Sequence, residues 1–359
     1  MRAAMKSLQF QNVVLALLLT IAVGWLLVVG RAILLPIVTA TLIVYLMLAA
    51  TEGLARLPLL KLLPETVLRF LVLVGFSLAF VFLSFLIGAT VREIAAVSPT
   101  YEANLDQLLA RIAQQFSLDK QEIWNEIRAM TIERIDISRI FLSLLGGFTQ
   151  VGTTVFVVVL YAAFIMAERH ALQRKILSIS NDPERARRTI QMLEDINRRI
   201  SDYLTVKTVI NIVLGALSWV VLWALGVDFA LFWAVMIGLL NYIPYIGSYI
   251  GVAFPVVLSV AQFGSLSLSI VLAALLVTAQ VIMGNVVEPR LIGRQLNLSP
   301  LVVLISLSLW SAFWGIPGAI LAIPLTAILS IVLASFPQTR FLAMLLAERV
   351  ESRPRAGGE

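Results

Sequence analysis

Cysteine is absent from this 359-residue chain, and histidine occurs once. Without cysteine there is no disulfide framework and no thiol chemistry. A single histidine, His170, beside Glu168 and Arg169 in a basic stretch where a surface position is expected, removes His-based triads and leaves no zinc cluster. No G-x-x-x-x-G-K-[ST] phosphate loop occurs, and no paired carboxylates mark an enclosed cleft. The expectation is therefore a protein that is not an enzyme, with no catalytic residue, no metal and no cofactor. Charge is scarce too: only 13% of residues are Asp, Glu, Lys or Arg.

Apolar side chains fill that space. They make up 60% of the sequence, and mean hydropathy is +0.96, more apolar surface than a water-soluble fold can hide. They come in uninterrupted runs, at 12–29, 70–91 and 265–283, each near the ~20 residues that cross a bilayer as a helix. Barrel strands would instead alternate polar and apolar residues over ~10-residue segments. The fold class expected is an all-α polytopic membrane protein with about eight apolar helical segments and a small helical extracytoplasmic lobe. The net charge of +6 and pI near 9.8 come from bases in the loops, which fits lipid headgroups rather than nucleic acid. Residues 1–30 start like a signal peptide, but the run is long and lacks a small-x-small exit, so it reads as a retained span.

The first spans, 11–29 and 32–50, are joined at Gly30-Arg31, and a loop with Arg56, Lys61 and Arg69 leads to a third span at 70–91. With Arg2 and Lys6 ahead of span one, the positive-inside rule places the N-terminus and that loop in the cytoplasm. Residues 92–146 then form an outside lobe. Ser98-Pro99 reads as a cap and first turn before a face of Tyr101, Leu105, Leu108, Leu109, Ile112 and Phe116, and Asp119 with Glu122 starts a second helix. A fourth span at 147–167 returns to a basic cytoplasmic segment, 168–207. There Asp182-Pro183 opens a helix with apolar face Ile190, Leu193, Ile196, Ile200 and Tyr203 that feeds a fifth span ending near Gly226. The expected segmentation is 1–91 for spans one to three, 92–146, 147–167, 168–207, a transport core at 208–336, and a cytoplasmic tail at 337–359 with Arg340, Arg349, Arg353 and Arg355.

From residue 229 the regularity breaks. The apolar stretch 229–240 offers about 18 Å of helix against a ~30 Å hydrocarbon core. Asn241-Tyr-Ile-Pro-Tyr-Ile-Gly-Ser248 follows, then a second short stretch at 249–262. Later, 299–314 and 319–336 flank Gly315-Ile-Pro317-Gly318, with a normal span at 265–283 between the two broken segments. Two Gly/Pro-broken apolar segments point to re-entrant-like hairpins around a buried, hydrated cavity, because freed backbone groups need partners there. The simplest layout opens the 229–262 hairpin outward and places both termini inside.

Polar groups at membrane depth are costly, so they are the candidate site. Asn241 leads the first break, as substrate contact or as a cap for broken backbone, with Pro244 and Gly247 beside it. Gln280, Asn285, Glu288, Pro289 and Arg290 cluster after the intervening span. Glu288 reads either as a carrier of a proton or cation, or as the ion-pair partner of Arg290 or Arg294. Asp228 precedes a helix, where an acid is an ordinary cap. Gly247-Ser-Tyr-Ile-Gly251 matches the G-x-x-x-G pattern of close helix contact.

The same residues carry a resemblance. Asn241–Ser248, Gly284-Asn-Val-Val-Glu-Pro-Arg-Leu-Ile-Gly293, Leu298-Ser-Pro300 and Gly315-Ile-Pro-Gly-Ala-Ile-Leu-Ala-Ile-Pro-Leu325 resemble successive signatures of the autoinducer-2 exporter family of bacterial transporters. The resemblance implies a multi-pass inner-membrane protein with both termini cytoplasmic, assembled as a homo-oligomer, a pentamer by family pattern. It implies export of the quorum-sensing signal autoinducer-2, or sodium(lithium)/proton antiport, driven by a gradient. Asn241, Pro244 and Gly247 would line the first break, Asn285, Glu288, Pro289 and Arg290 the second, with Gly315, Pro317 and Gly318 as the hinge of the other hairpin. Partners expected are a small polar solute or an ion and the lipid bilayer. A non-transporting scaffold, binding proteins through the lobe and the basic helix, is the alternative from another class.

Overall fold

The structure, a computed structural model, describes residues 2–58, 60–116, 156–168, 171, 174–179, 182–292 and 296–349. Among them the backbone is built of helices with no strand: α1 Arg2–Val29, α2 Arg31–Ala55, α3 Glu65–Phe116, α4 Phe156–Glu168, α5 Pro183–Ala224, α6 Ala230–Leu240, α7 Ile246–Phe263, α8 Leu266–Ile282, α9 Glu288–Ile292, α10 Pro300–Ser335 and α11 Arg340–Leu346. A π-helical turn, Met283–Val287, joins α8 to α9. Six helices are long and apolar enough to cross a bilayer, and Leu17–Val29, Phe156–Glu168 and Ala230–Leu240 are shorter apolar helices. This is the all-α polytopic membrane fold that the composition requires. The expected second lobe helix from Asp119, the start of span four, His170 and Arg294 lie outside the described residues.

Several boundaries match their local chemistry. Gly30 alone separates α1 from α2, at a place where a Cβ would lie 2.7 Å from the Leu26 carbonyl oxygen. Asp182 caps α5, its Oδ1 accepting from the Glu184 N–H at 3.0 Å and the Arg185 N–H at 3.3 Å. The expected stripe on that helix is buried at Ile196, Ile200 and Tyr203. One boundary differs. Ser98-Pro99 does not start a helix; α3 runs through Pro99 and continues about 33 Å past Ile94, at ~1.5 Å per residue. Its far part is fastened by Tyr101 and Asn104 to residues 228 and 262, and those tertiary bonds outweigh the backbone bond that a proline forfeits.

The helices sort into two compact units interleaved along the chain: Met1–Tyr45, Val157–Ile200 and Leu296–Glu359 in one, Leu46–Phe156 and Ser201–Gln295 in the other. In the first unit α10 folds back on itself at Gly315, whose φ of 66° and ψ of −142° are not helical. The Trp310 Nε1–H donates to Thr326 Oγ1 at 3.1 Å, although the two are 16 residues apart and would be separated by about 24 Å in a straight helix. α10 is thus a helical hairpin, as the Gly315-Ile-Pro-Gly318 break predicts. Trp314 Nε1–H ties it to α1 through the Leu27 carbonyl at 2.9 Å.

In the second unit the hairpin α6–α7 packs against α5 through small residues, which let backbones approach without the hydrophobic drive available in water. A Cβ on Gly215 would come 3.2 Å from the Ala234 carbonyl oxygen, and one on Gly238 2.9 Å from that of Asn211. A Cβ on Gly251 would lie 3.4 Å from the Ile237 Cα, a looser approach, so the G-x-x-x-G pair faces α6 inside the hairpin. Ile210, Leu214, Leu222, Ile237, Leu272 and Leu276 form the apolar centre. α8 joins α7 through Ser259 Oγ–H, which donates to Ser269 Oγ at 2.8 Å. α7 is longer than the sequence pattern suggests because it begins inside the break motif, at Ile246.

Candidate functional site

The site grows from α5, which carries Lys207, Thr208 and Asn211 within one helical turn, and from the turn between α6 and α7. Asn241 ends α6, its own N–H bonded to the Ile237 carbonyl, so its side chain is free for other partners. The buried Asn241 Nδ2 donates to Asn211 Oδ1 at 2.8 Å, and Ser248 Oγ–H donates to Asn241 Oδ1 at 3.0 Å. Tyr242, the next residue, shares a 2.6 Å hydrogen bond with Thr208. Asn241 thus stands at the C-cap of α6 while its side chain links α5 to α7. Pro244 sits in the turn, where no N–H is required, and its carbonyl accepts from the Ile246 N–H at 2.6 Å. Gly247 is buried where a Cβ would fall 1.8 Å from the Leu240 carbonyl oxygen, so the reversal leaves no room for a side chain.

Glu288 pairs with a residue not proposed for it on sequence grounds; of the two that were, Arg294 lies outside the described residues. Lys207 Nζ–H donates to Glu288 Oε1 at 2.7 Å, across 81 residues of chain. The ammonium side chain is 6% exposed and the carboxylate 27%. Arg290 is exposed. The preceding π-turn explains how the carboxylate is aimed: the extra residue turns all that follows by ~100° relative to an uninterrupted α-helix. Gly284 and Asn285 are the small and polar residues of that turn, so the second motif makes a bulge and not a break. Lys207 was missed because it ends a run of basic residues that reads as cytoplasmic; the signal available was its place on the continuation of the apolar face, four residues after Tyr203.

The remaining candidates are dispersed. Asn285, Pro289 and Arg290 are exposed. Gln280 is half-buried, and its Nε2 has no hydrogen-bond partner among the described residues. Asp228 is at the opposite end of the hairpin from Asn241 and is no cap: Phe229 holds the N-cap position, and no side chain caps α6. Asp228 Oδ2 instead accepts from the Tyr101 hydroxyl at 2.7 Å. Burial first, then the bond to Asp228 and its charge, push the Tyr101 phenol well above its ordinary range. Gly315, Pro317 and Gly318 form the turn of the α10 hairpin, with Gly318 buried where a Cβ would lie 2.0 Å from the Trp310 carbonyl oxygen. No group of His, Asp and Glu suited to a metal ion occurs among the described residues.

A buried ion pair and an amide–hydroxyl chain inside an apolar helical bundle are expensive to keep unless they serve a purpose, and beside a broken hairpin they are groups of the kind a membrane transporter uses. The chain belongs to the AI-2E transporter family, whose sequence profile matches residues 14–338. It is 32% identical over 286 residues to a Haemophilus influenzae protein named "Putative transport protein", covering 77% of this chain and 80% of that one. It is 28% identical over 324 residues to AI-2 transport protein TqsA of Escherichia coli, covering 88% and 90% of the two chains. The family is one of transporters, and the six helices long and apolar enough to cross a bilayer fit a multi-pass inner-membrane protein.

Proposed function

We propose that the protein exports a small polar solute through the turn of the α6–α7 hairpin, with autoinducer-2 the first candidate. The observation that carries this reading is the hydrogen-bonded chain Asn211–Asn241–Ser248 at the one place where α6 gives way to α7. Amide and hydroxyl groups there exchange hydrogen bonds with each other and, when the turn opens, with a polar solute. The similarity to a protein named for AI-2 transport supports the choice of probe. The outward-opening layout, both termini in the cytoplasm and homo-oligomeric assembly belong to the same reading. Everted vesicles should accumulate labelled autoinducer-2, and an Asn241→Ala/Asn285→Ala variant should not. Equal uptake by the two removes the hairpin turn from the pathway.

A second reading, cation/proton antiport, is favoured by the Lys207–Glu288 pair. The carboxylate is the more accessible partner, so an arriving ion that competes for it is a cation. As the cation takes the place of the ammonium, a proton leaves Lys207 and the pair stays neutral, which avoids an uncompensated buried charge. Dye-reported proton release on adding sodium should vanish in Glu288→Gln and in Lys207→Met. A response that survives both changes rules the pair out as the coupling group.

A further inference from the structure

The end of the hairpin opposite Asn241 is knotted to α3. Asn104 Nδ2 donates to the Gln262 carbonyl at 2.6 Å, one helical turn beyond Tyr101 and its bond to Asp228. Gln262 in turn bridges the knot: its Nε2 donates to the Gly226 carbonyl at 2.7 Å, and its Oε1 accepts from the Asp228 N–H at 2.9 Å. Three residues here hold left-handed backbone, Gly226 at φ 68°, Phe229 at φ 56° and Gly264 at φ 54°. Two are glycines, which accept that conformation freely, but Phe229 does not; its geometry is held by the surroundings. All three lie in the connections that lead into and out of the α6–α7 hairpin.

These facts place the joints of the hairpin and a removable clasp in one spot. The clasp comes from residues 101 and 104, in the part of α3 that lies beyond its apolar span. It grips both ends of the hairpin, 226–228 and 262–264, while the turn at 241–245 is about 27 Å away along the 18 residues of α7. α7 contains Pro255, but that proline is fully buried, held by packing on the arm of the hairpin, so an angular change at the base moves the turn as a lever moves its tip.

We infer that Tyr101 and Asn104 are positioning residues that set, from the base of the hairpin, how far and how often its turn opens. The exposed end of α3 is then the place where events outside the apolar bundle reach the site. This inference does not depend on which solute or ion crosses.

A chain without cysteine permits a direct test. A Cβ on Gly264 would lie 3.7 Å from the Asn104 Cβ, within the range of a disulfide. In an Asn104→Cys/Gly264→Cys variant held in lipid nanodiscs, backbone hydrogen exchange across 226–264 is compared in the oxidised and reduced states. Oxidation should slow exchange at 241–245 at least tenfold, and reduction should restore it. Tyr101→Phe, which keeps the ring and removes the bond to Asp228, should accelerate exchange at 241–245 at least threefold with the variant still folded. Exchange altered only at 226–229 and 262–265, with the turn unchanged in the Tyr101→Phe protein, overturns the proposal and leaves a static clamp. Should strain at residue 264 prevent the double variant from folding, the Tyr101→Phe measurement alone decides.

Discussion

The turn of the α6–α7 hairpin is lined by Asn211, Asn241 and Ser248, with Tyr242 and Thr208 beside them. The two arms of the α10 hairpin are joined by the Trp310–Thr326 bond, among aromatic rings: Trp310 stands 5.4 Å from Trp314 and 6.1 Å from Phe313, centroid to centroid. Both reversals use proline and glycine, and in both a buried glycine passes close to a carbonyl oxygen. A broken helix is thus a shared device for reversing the chain in an apolar setting, and chemistry is added to it or not. Only where amides and hydroxyls converge does the reversal become a candidate route for polar matter.

The largest effect expected is on the charged flank of the polar hairpin. Glu288→Gln strands a buried ammonium and should cost about 3–5 kcal/mol of stability, read as a sharp drop in the thermal midpoint in detergent. Lys207→Met/Glu288→Leu should recover most of that loss while leaving antiport dead. A double variant no more stable than Glu288→Gln would show that the pair is not a unit.

Sterics should fail to separate the hairpins. Gly247→Ala and Gly318→Ala place a methyl 1.8 Å and 2.0 Å from a carbonyl oxygen, and each should destabilise by ~1–3 kcal/mol or more in the same melting assay. If only one of them is sensitive, the two turns are not alike. Polar deletions should separate them. Asn241→Leu leaves the Asn211 and Ser248 groups unpaired at a cost of about 1–3 kcal/mol and should abolish vesicle uptake. Thr326→Val loses one bond, about 1 kcal/mol, and should leave uptake intact. Uptake lost in Thr326→Val and kept in Asn241→Leu would reverse the assignment.

The smallest effect concerns pH. The Tyr101 phenol is raised in the folded state, so the folded protein holds that proton more tightly than the unfolded chain. Its contribution is fully present below about pH 10, the ordinary phenol value, and is lost only as pH rises through the folded value. Exchange protection at the clasp, corrected for intrinsic chemistry, should therefore be flat between pH 7 and 9. A slope there would mean that another group titrates.

Much of this architecture is written locally. Asp182-Pro183 opens α5 because a carboxylate can reach the first free N–H groups, and the broken segments stand out because proline and glycine interrupt runs that are otherwise apolar. The pairings were not legible. Lys207 and Glu288 are far apart in sequence, and a lysine at the end of a basic stretch reads as solvated until the neighbouring helices are in place. Pro99 looked like a first-turn residue because the bonds that carry α3 past it belong to residues 228 and 262. The bulge at Met283–Val287 has no sequence mark beyond Gly284, since one extra residue in a turn is decided by what the next carboxylate can reach.

Gly315 has one more consequence. Its φ of 66° and ψ of −142° are the reflection of an extended, polyproline-like geometry that any L-residue adopts with ease. Nothing lies within 4 Å of where a Cβ would stand, so crowding is not what reserves the position for glycine. Handedness is. A D-alanine introduced there by chemical ligation should fit and stiffen the reversal, whereas L-alanine in the same open space should strain it. The chain reverses at a point where its chirality is switched off, and no change within the genetic code can fill that point without turning it back on.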